Sequence, residues 1–346
     1  MLGTDSRAAR IVWTVFLIGL ALTLAWLARQ TLLVFIIALL LAYLLHPLVN
    51  IVRRTFPYRL PAVFAPGIVY VGGLGVVIVA ALFIGAPIAE EATLLASRVP
   101  EFLSQRDEIL EGHLPKFLAP YGEEIGAALR AQLAAAKDEV IPALSALGKG
   151  LLNQASTLLF AILIPILAFL MELSLRDFRA GIVQRFASDS NQKLAHAIVT
   201  DIDTLLGNYM RAVFLLALAT FTSHLVTFGT IGVPYAVLLA GICGVLEFVP
   251  VVGPLSGMII VTLVATFSGY PHVGGLIVFL LLYRLFQDYV LQPWLYSAGI
   301  EIHPLLLLFG VLAGEQIGGV AGMFLSVPLL AVSRVLYRRL IEVKIL

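Results

Sequence analysis

The sequence predicts an all-α, polytopic membrane protein with about seven or eight transmembrane helices, some of them broken or re-entrant. Of the 346 residues, 60% are hydrophobic and only 12% are charged, whereas about a quarter of the residues of an average soluble protein are charged. Several apolar stretches reach the roughly 20 residues that a helix needs to cross a hydrocarbon layer. Two of them contain proline and glycine, which indicates broken helices.

Eight apolar stretches are candidate membrane helices. The first follows Arg7 and Arg10, and its 18 apolar residues exceed the usual core of a signal peptide, so we interpret it as a retained span. Only Arg29 and Gln30 separate the first two stretches, which predicts a tight helical hairpin or two short, tilted helices. The predicted spans are 11–28, 31–49, 61–87, 151–175, 212–232, 235–268, 273–287 and 304–333.

A polar insertion divides the chain into three predicted parts. Residues 1–87 form the N-terminal transmembrane helices, 88–150 the insertion, and 151–346 a C-terminal transport region with broken helices. The insertion holds six basic and ten acidic residues, with apolar residues at helical spacing. We therefore expect amphipathic helices that lie at the membrane surface or pack against another subunit.

Basic residues in the short loops predict the orientation of the chain in the membrane. Lys and Arg concentrate in cytoplasmic loops, which places both termini on the cytoplasmic side of the membrane and the insertion outside. A second amphipathic stretch, 176–211, then lies on the cytoplasmic side, with a break at 188–191. The basic residues used are Arg7, Arg10, Arg53, Arg54, Arg59, Arg176, Arg179, Arg185, Arg334, Arg338, Arg339 and Lys344.

The sequence argues against several classes of function. A net charge of +1 without a dense basic block argues against nucleic acid as a partner. The single cysteine, Cys243, excludes an internal disulfide and a multi-cysteine metal site. The chain has no GxxxxGKS, HExxH or GxSxG motif, and its six histidines are scattered. We therefore expect no enzyme activity, catalytic residue, cofactor or metal site.

The segment LEFVPVVGPLSG, residues 246–257, places a carboxylate at a helix break inside an apolar run. Pro250 and Pro254 lack a backbone N–H, and Gly253 favours unwinding. A discontinuous helix with a carboxylate at its break can hold a proton, a cation or a polar substrate. The alternative is that Glu247 neutralises Arg284 while the prolines only kink a helix.

A second acidic position, Glu315, lies with Gln316 in a glycine-rich segment. Together they repeat the chemistry at Glu247, and two interrupted segments are typical of a binding site near the membrane midplane. The alternative is that GEQIGG forms a turn between two half-helices. A stripe of small residues that predicts close helix packing is formed by Gly310, Gly314, Gly318 and Gly322.

Further polar residues lie between 283 and 303. Arg284 and Asp288 are four residues apart and would face each other on a helix, either as an internal ion pair or, with Gln287, as part of a substrate or ion pathway. We interpret His224 as a hydrogen-bonded core residue rather than a proton relay. We interpret a cluster of four aromatic residues as an interfacial belt; they are Tyr283, Tyr289, Trp294 and Tyr296.

Five ordered motifs carry a resemblance to a known family. They are LAYLLHPLV (41–49), MELSLRD (171–177), GVPYAVLLAGICGVLEFVPVVGPLSG (232–257), QDYVLQPWLYSAGIEIHPLL (287–306) and GEQIGGVAGMFLSVPLLAV (314–332). With these motifs the chain resembles the autoinducer-2 exporter family, also described as PerM-like permeases. The resemblance covers nearly the whole chain and is strongest over 232–332.

The resemblance implies a homo-oligomeric inner-membrane transporter that uses no ATP. Members of the family are linked to export of autoinducer-2, and others are described as sodium/proton antiporters. The resemblance assigns the acid before the FVPVVGP turn to Glu247, that of the glycine-rich segment to Glu315, and a further motif to 287–303. The chain departs from the family at YMRAVFL, where Ala212 and Val213 replace a Gly-Gln pair, and this leaves the substrate open.

Together these observations predict a secondary transporter that exports a small polar molecule such as autoinducer-2, possibly coupled to an ion. Glu247 and Glu315 would bind the coupling ion or substrate hydroxyls, and Arg284 with Asp288 would gate the site. The alternatives are a sodium/proton antiporter, or a channel or scaffold-type oligomer. The expected partners are a small-molecule or ion substrate, the lipid bilayer and further copies of the chain.

Overall fold

A computed structural model of the protein describes residues 6–56, 61–104, 155–186, 188–295 and 303–342. Every regular element within these ranges is a helix, so the predicted all-α class is confirmed. The predicted insertion from residue 105 onward lies outside the described residues, as does Tyr296.

Helices of very different length follow one another along the chain. The first five are α1 (Ser6–Leu27), α2 (Arg29–Thr55), α3 (Phe64–Ser104), α4 (Ala155–Gln184) and α5 (Asp189–Ile231). The others are α6 (Ala236–Leu246), α7 (Val252–Phe267), α8 (Val273–Phe286), a π-helical turn (Gln287–Leu291), α9 (Gln292–Leu295) and α10 (Pro304–Glu342). Within the described residues, five helices are long and apolar enough to cross a membrane, and four further apolar stretches are shorter. The chain is therefore a polytopic membrane protein.

The first two helices do not form the predicted tight hairpin. Ala28 alone separates α1 from α2, and its φ of −88° and ψ of 7° lie near the helical region. Its N–H donates to Leu24 and its carbonyl accepts from Leu32, both at 2.9 Å, in the helical four-residue pattern. A chain that keeps this pattern across the junction cannot reverse its direction, so α2 continues onward from α1.

The chain is divided into two compact units that each draw on several parts of the sequence. The first unit comprises Met1–Pro66, Ile162–Asp203 and Ile302–Leu346, and the second comprises Gly67–Ala161 and Thr204–Glu301. Helix α3 continues past residue 87, where the sequence analysis ended the third span, as far as Ser104. The three-part division along the sequence remains a prediction.

The second unit has an apolar core and a capped helix that together position α6. Its core is built from Phe228, Leu239, Val261, Leu276 and Leu280, each at most 2% exposed. At the start of α6, the Oε2 atom of Glu91 accepts a hydrogen bond of 2.7 Å from the N–H of Leu238. This contact satisfies one of the four N–H groups that a helix leaves without partners at its N-terminus, and it ties α3 to α6.

Within the second unit, glycines follow the C-terminal ends of α5 and α7. Gly232, with a φ of 74°, follows α5, and the N–H of Val233 donates to the carbonyl of Phe228 at 2.9 Å. Gly269, with a φ of 69°, follows α7 and is accompanied by the corresponding bond from Tyr270 to Ala265, at 3.0 Å. This six-to-one bond around a left-handed glycine is the Schellman arrangement, and glycine adopts it without a Cβ clash.

In the first unit, α10 is a helical hairpin rather than one rod. Gly318 and Gly319 leave helical geometry, with φ values of −141° and 59°. A Cβ on Gly322 would lie 1.9 Å from the carbonyl oxygen of Gly314, although eight residues of straight helix would separate the two by about 12 Å. The two halves therefore fold back against each other, which confirms the alternative that GEQIGG belongs to a turn between half-helices.

The glycine stripe packs the two halves of this hairpin together. A Cβ on Gly310 would lie 2.7 Å from the side chain of Leu330, and Gly314 meets Gly322 backbone to backbone. Gly318 belongs to the turn and lies near Leu33 of α2, 3.4 Å from a hypothetical Cβ. The predicted close packing is present, and it occurs within one element because the stripe folds onto itself.

Ion pairs hold the polar ends of the first unit together. Asp201 of α5 accepts from Arg339 at 2.8 Å and from Arg338 at 3.3 Å, both in α10. Asp203 pairs with Arg179 of α4 at 2.8 Å and accepts a hydrogen bond from the hydroxyl of Tyr43 in α2. These contacts join four helices through two carboxylates that are two residues apart.

Candidate functional site

The predicted break between 235 and 268 is present and is five residues long. Helix α6 ends at Leu246 and α7 begins at Val252, with Glu247–Val251 between them. Val251 has a φ of 65° and a ψ of −59°, and the N–H of Val252 donates to the carbonyl of Pro250 at 2.7 Å. This geometry is a γ-turn with positive φ, which is rare and strained for a β-branched residue.

Gly253 and Pro254 lie in the first turn of α7, not in the break where the sequence analysis placed them. Proline is tolerated there because the first N–H groups of a helix have no intrahelical acceptor. Gly253 allows a close approach, since a Cβ at this position would lie 1.8 Å from the carbonyl oxygen of Leu246. The end of α6 and the start of α7 can touch only because residue 253 is glycine.

The carboxylate of Glu247 lies at the end of α6 and points into the second unit, where the residue is 7% exposed. The hydroxyl of Thr220 in α5 donates to its Oε1 atom at 3.2 Å, and the Nε2 atom of Gln287 donates to its Oε2 atom at 2.7 Å. Gln287 is only 1% exposed and begins the π-helical turn after α8. Three separate elements therefore converge on one buried carboxylate.

The hydrogen bonds continue beyond Glu247 to a second hydroxyl. The hydroxyl of Tyr283 lies 3.0 Å from the Oγ1 atom of Thr220. With Thr220 donating to Glu247, Tyr283 is the donor to Thr220, so a run of two hydroxyls ends at the carboxylate. Tyr283 is 9% exposed. Its assignment to an interfacial belt is therefore wrong, whereas Tyr289 and Trp294 of the same cluster are 78% and 76% exposed.

His224 belongs to the aromatic side of this site. It is 4% exposed, its Nδ1 atom lies 2.9 Å from the carbonyl oxygen of Thr220, and its ring packs edge-on against Tyr283 with centroids 4.7 Å apart. A histidine whose Nδ1–H donates to its own helix is fixed in one tautomer and orientation. This geometry agrees with the interpretation of a hydrogen-bonded core histidine.

Arg284 forms an ion pair with Asp288, not with Glu247. Its Nη2 atom lies 2.9 Å from Oδ1 of Asp288, and the same oxygen accepts from Nε2 of Gln292 at 2.9 Å. The alternative in which Glu247 serves to neutralise Arg284 stays a prediction, since both residues line the same cavity. The Nη1 atom of Arg284 is buried and meets no acceptor among the described residues, so it is available to an oxygen atom of a bound species.

These side chains line a small cavity of about 20 Å³. Its polar lining residues include Thr220, Glu247, Tyr283, Arg284 and Gln287, and apolar side chains such as that of Met258 in α7 complete the wall. A cavity needs roughly 10–15 Å³ to admit one water molecule, so this one has room for a water or a bare monovalent cation. Within the part of the chain that the structure describes, no three His, Cys, Asp or Glu side chains come together to bind a metal.

Comparison with known proteins identifies the class of protein to which this chain belongs. A family model described as "AI-2E family transporter" matches residues 12–342. The chain belongs to the AI-2E transporter family.

Three relatives carry the name "Putative transport protein". YrrI of Bacillus subtilis (strain 168) is 25% identical over 94% of this chain and 91% of its own length. YueF of the same organism is 21% identical over 88% of this chain and 84% of its own length. MT0215 of Mycobacterium tuberculosis (strain CDC 1551 / Oshkosh) is 26% identical over 86% of this chain and 79% of its own length.

This AI-2E transporter carries its second predicted acid in the other compact unit. Glu315 and Gln316 are exposed and lie just before the turn of the α10 hairpin. Glu247, Arg284 and Gln287 all belong to the second unit. The structure therefore brings together the residues predicted around 247 and 287, and it places Glu315 and Gln316 at the tip of a separate hairpin.

Two residues of the transporter's site were not predicted as site residues from the sequence. Thr220 was not singled out, and Tyr283 was assigned to the aromatic belt. A signal for both exists in their helical spacing, because Thr220 precedes His224 by four residues and Tyr283 precedes Gln287 by four. Each pair places two polar groups on one face of an apolar helix, which is the position of a functional residue in a membrane protein.

Proposed function

We propose that this AI-2E family transporter exports a small polar molecule such as autoinducer-2 in exchange for a proton or a small cation, with Glu247 as the coupling group. One observation carries the proposal: the buried carboxylate of Glu247 receives hydrogen bonds from Thr220 and Gln287, which are both neutral. The direct salt bridge of Arg284, which lines the same cavity, is to Asp288 and not to Glu247. A buried carboxylate without a direct ion pair is costly, which favours the uptake of a proton or a cation by Glu247.

The size of the cavity supports an ion rather than an organic molecule at this position. About 20 Å³ accommodates one water-sized species, which is far smaller than a furanosyl compound. The cavity offers oxygen atoms from Glu247, Thr220 and Tyr283, and oxygen is the donor that hard cations prefer. In the same proposal the organic cargo occupies a different place, and the exposed Glu315 and Gln316 of the α10 tip are its candidate contacts.

A sodium/proton antiporter is the second candidate function. The same observation favours it, because a cation-sized cavity with one carboxylate can bind sodium and protons alternately without any organic cargo. Both functions are forms of secondary transport and involve no covalent chemistry. They differ in whether proton movement requires the organic solute.

Transport by purified protein in liposomes distinguishes these functions. Vesicles are loaded with autoinducer-2 and a pH-sensitive dye, and proton uptake and solute release are followed together. The proposal predicts saturable release coupled to proton or cation uptake, with a loss of about tenfold or more in Glu247→Gln and none in Glu90→Gln, an exposed acid. Intact assembly of Glu247→Gln is checked by gel filtration.

Each other result overturns the proposal. Unchanged flux in Glu247→Gln removes Glu247 from the mechanism. Proton movement driven by sodium in the absence of autoinducer-2 identifies the antiporter. Flux that follows the gradient without saturation identifies a channel. The absence of flux of any solute identifies a scaffold protein.

We also propose that the transporter is a homo-oligomer of the inner membrane with both termini in the cytoplasm. The basis is the family resemblance and the asymmetry of Lys and Arg in the loops. Light scattering of the purified particle measures subunit number, and reporter fusions at either terminus measure sidedness. A monomer in mild detergent and in lipid discs would contradict the first part, and a periplasmic terminus the second.

A further inference from the structure

A second cavity in the second unit lies at the point where α5 changes from polar to apolar. Its volume is about 210 Å³, roughly ten times that of the cavity at Glu247. It is lined by Asn208, Arg211, Ala212, Leu215, Trp294 and Leu295. One wall is therefore α5 and the other is the short helix α9.

Arg211 is the last charged residue before the apolar half of α5. The twenty residues 212–231 contain no Asp, Glu, Lys or Arg, whereas the half before Arg211 contains several. Trp294, on the facing wall, is 76% exposed. An arginine and a tryptophan at the end of an apolar helical segment mark the level of the lipid headgroups, so the cavity lies at the membrane–water boundary.

The guanidinium of Arg211 is held in place without being neutralised. Its Nε atom donates to the carbonyl oxygen of Gly207 at 3.2 Å, and its Nη2 atom donates to Oδ1 of Asn208. Among the described residues, Arg211 forms no ion pair with a carboxylate. Of the five N–H donors of a guanidinium, three remain for a ligand, and they carry a full positive charge.

The other walls of the cavity are apolar. Ala212 is buried, Leu215 is 46% exposed, and the indole of Trp294 adds further apolar surface to the lining. A fixed cation beside such a surface fits a molecule that joins an anionic oxygen group to a hydrocarbon chain. A basic pocket between membrane helices is the arrangement that binds the phosphate of anionic lipids.

We propose that this cavity is a binding site for one anionic phospholipid, whose phosphate is held by Arg211 and whose upper acyl chain packs on Leu215 and Trp294. The lipid would join α5 to α9. Since Thr220 is on α5 and Gln287 lies shortly before α9, an occupied site would steady two of the elements that converge on Glu247.

Fluorescence quenching of Trp294 tests the proposal. The other two tryptophans are replaced (Trp13→Phe, Trp26→Phe), and the protein is reconstituted in phosphatidylcholine vesicles that contain a small fraction of lipid brominated close to its headgroup. We expect brominated phosphatidylglycerol to quench Trp294 at a several-fold lower fraction than brominated phosphatidylcholine does. In Arg211→Gln this preference should fall by about fivefold, the effect of one cation–phosphate contact near a membrane surface.

The control is Arg54→Gln, which removes an exposed arginine from the end of a different membrane helix. It should keep the preference for phosphatidylglycerol. An equal loss in Arg54→Gln would mean that only the general surface charge matters, and equal quenching by the two lipids in the parent protein would mean that no anionic lipid is selected. Either result overturns the proposal.

Two further measurements complete the test. Inorganic phosphate, added to vesicles that contain brominated phosphatidylcholine, should leave the quenching of Trp294 unchanged. A decrease in that quenching on addition of phosphate would assign the site to a free anion instead. Native mass spectrometry of the protein with its natural tryptophans, which does not depend on the tryptophan variants, should show one phosphatidylglycerol more on the parent than on Arg211→Gln. Equal retention by the two proteins would contradict a specific lipid site.

Discussion

The Nε2 atom of Gln287 donates a hydrogen bond of 2.7 Å to the Oε2 atom of Glu247, forty positions earlier in the chain. Glu247 directly follows α6 at the break, and Gln287 begins a π-helical turn. Such turns occur frequently at functional sites, because the wider turn redirects a side chain. Two irregularities of the backbone, each local in the sequence, therefore produce a single buried contact.

Replacement of Gln287 by leucine should weaken both stability and transport. The change leaves one oxygen of the buried Glu247 without its donor, which costs about 1–3 kcal/mol. We expect a lower midpoint of thermal unfolding and a reduced flux. The control is Gln292→Leu, which removes a half-buried amide bound to Asp288 at 2.9 Å. An equal or greater loss in the control would argue against a special role for Gln287.

Replacement of Gly253 by alanine should prevent correct folding of the break. The added Cβ would lie 1.8 Å from the carbonyl oxygen of Leu246, and this backbone atom cannot rotate away. We expect little monodisperse protein on gel filtration after extraction. The matched change Gly275→Ala in α8, where nothing lies within 4 Å of the new Cβ, should be tolerated. Normal yield of Gly253→Ala would show that the two helix ends are not in contact.

Replacement of Val251 by glycine should stabilise the protein. Val251 holds a φ of 65°, which costs a non-glycine residue of the order of 1–3 kcal/mol, and glycine adopts this angle without strain. The matched change Val245→Gly, at an exposed position inside α6, should instead destabilise by about 0.5 kcal/mol. The two midpoints of thermal unfolding should therefore shift in opposite directions. A fall in both would mean that the γ-turn is not populated in the folded protein.

The sequence was sufficient for the break at Glu247 because its signals are local: two prolines and a glycine interrupt an apolar run beside one acid. It was not sufficient for Thr220 or Tyr283, since a threonine and a tyrosine in apolar helices are ordinary residues until the distant carboxylate is known. The glycine stripe was ambiguous for another reason. Spacing of four residues predicts close packing, but only the turn at Gly319 determines that the stripe folds onto itself.

The α10 hairpin should be sensitive to substitution at Gly322. A Cβ there would lie 1.9 Å from the carbonyl oxygen of Gly314, so Gly322→Ala should separate the two half-helices and lower the midpoint of thermal unfolding strongly. The control Gly229→Ala lies in α5 with nothing within 4 Å, and it should be neutral or slightly stabilising, because alanine is the better helix former. If Gly322→Ala behaved like the control, residues 304–342 would form a single rod.

Glu172 of α4 should be required for the stability of the first unit. Its side chain is 1% exposed, both carboxylate oxygens lie 3.1 Å from Nδ1 of His46, and Oε1 lies 3.9 Å from Arg53 of the same helix, α2. Removal of one partner from a buried pair costs 3–5 kcal/mol when the remaining charge stays dry. His46 and Arg53 are 32% and 25% exposed and can regain water, so we expect Glu172→Gln to cost about 1–3 kcal/mol.

The matched control for this prediction is Glu90→Gln, because Glu90 is an exposed acid and surface changes of this kind stay within about 0.5 kcal/mol. Denaturant midpoints of the parent and the two variants measure the difference. The double variant with His46→Gln should lose less than the sum of the single losses, since residues in direct contact are not additive. Additive losses would show that His46 and Glu172 do not interact, and that the buried carboxylate depends on Arg53 alone.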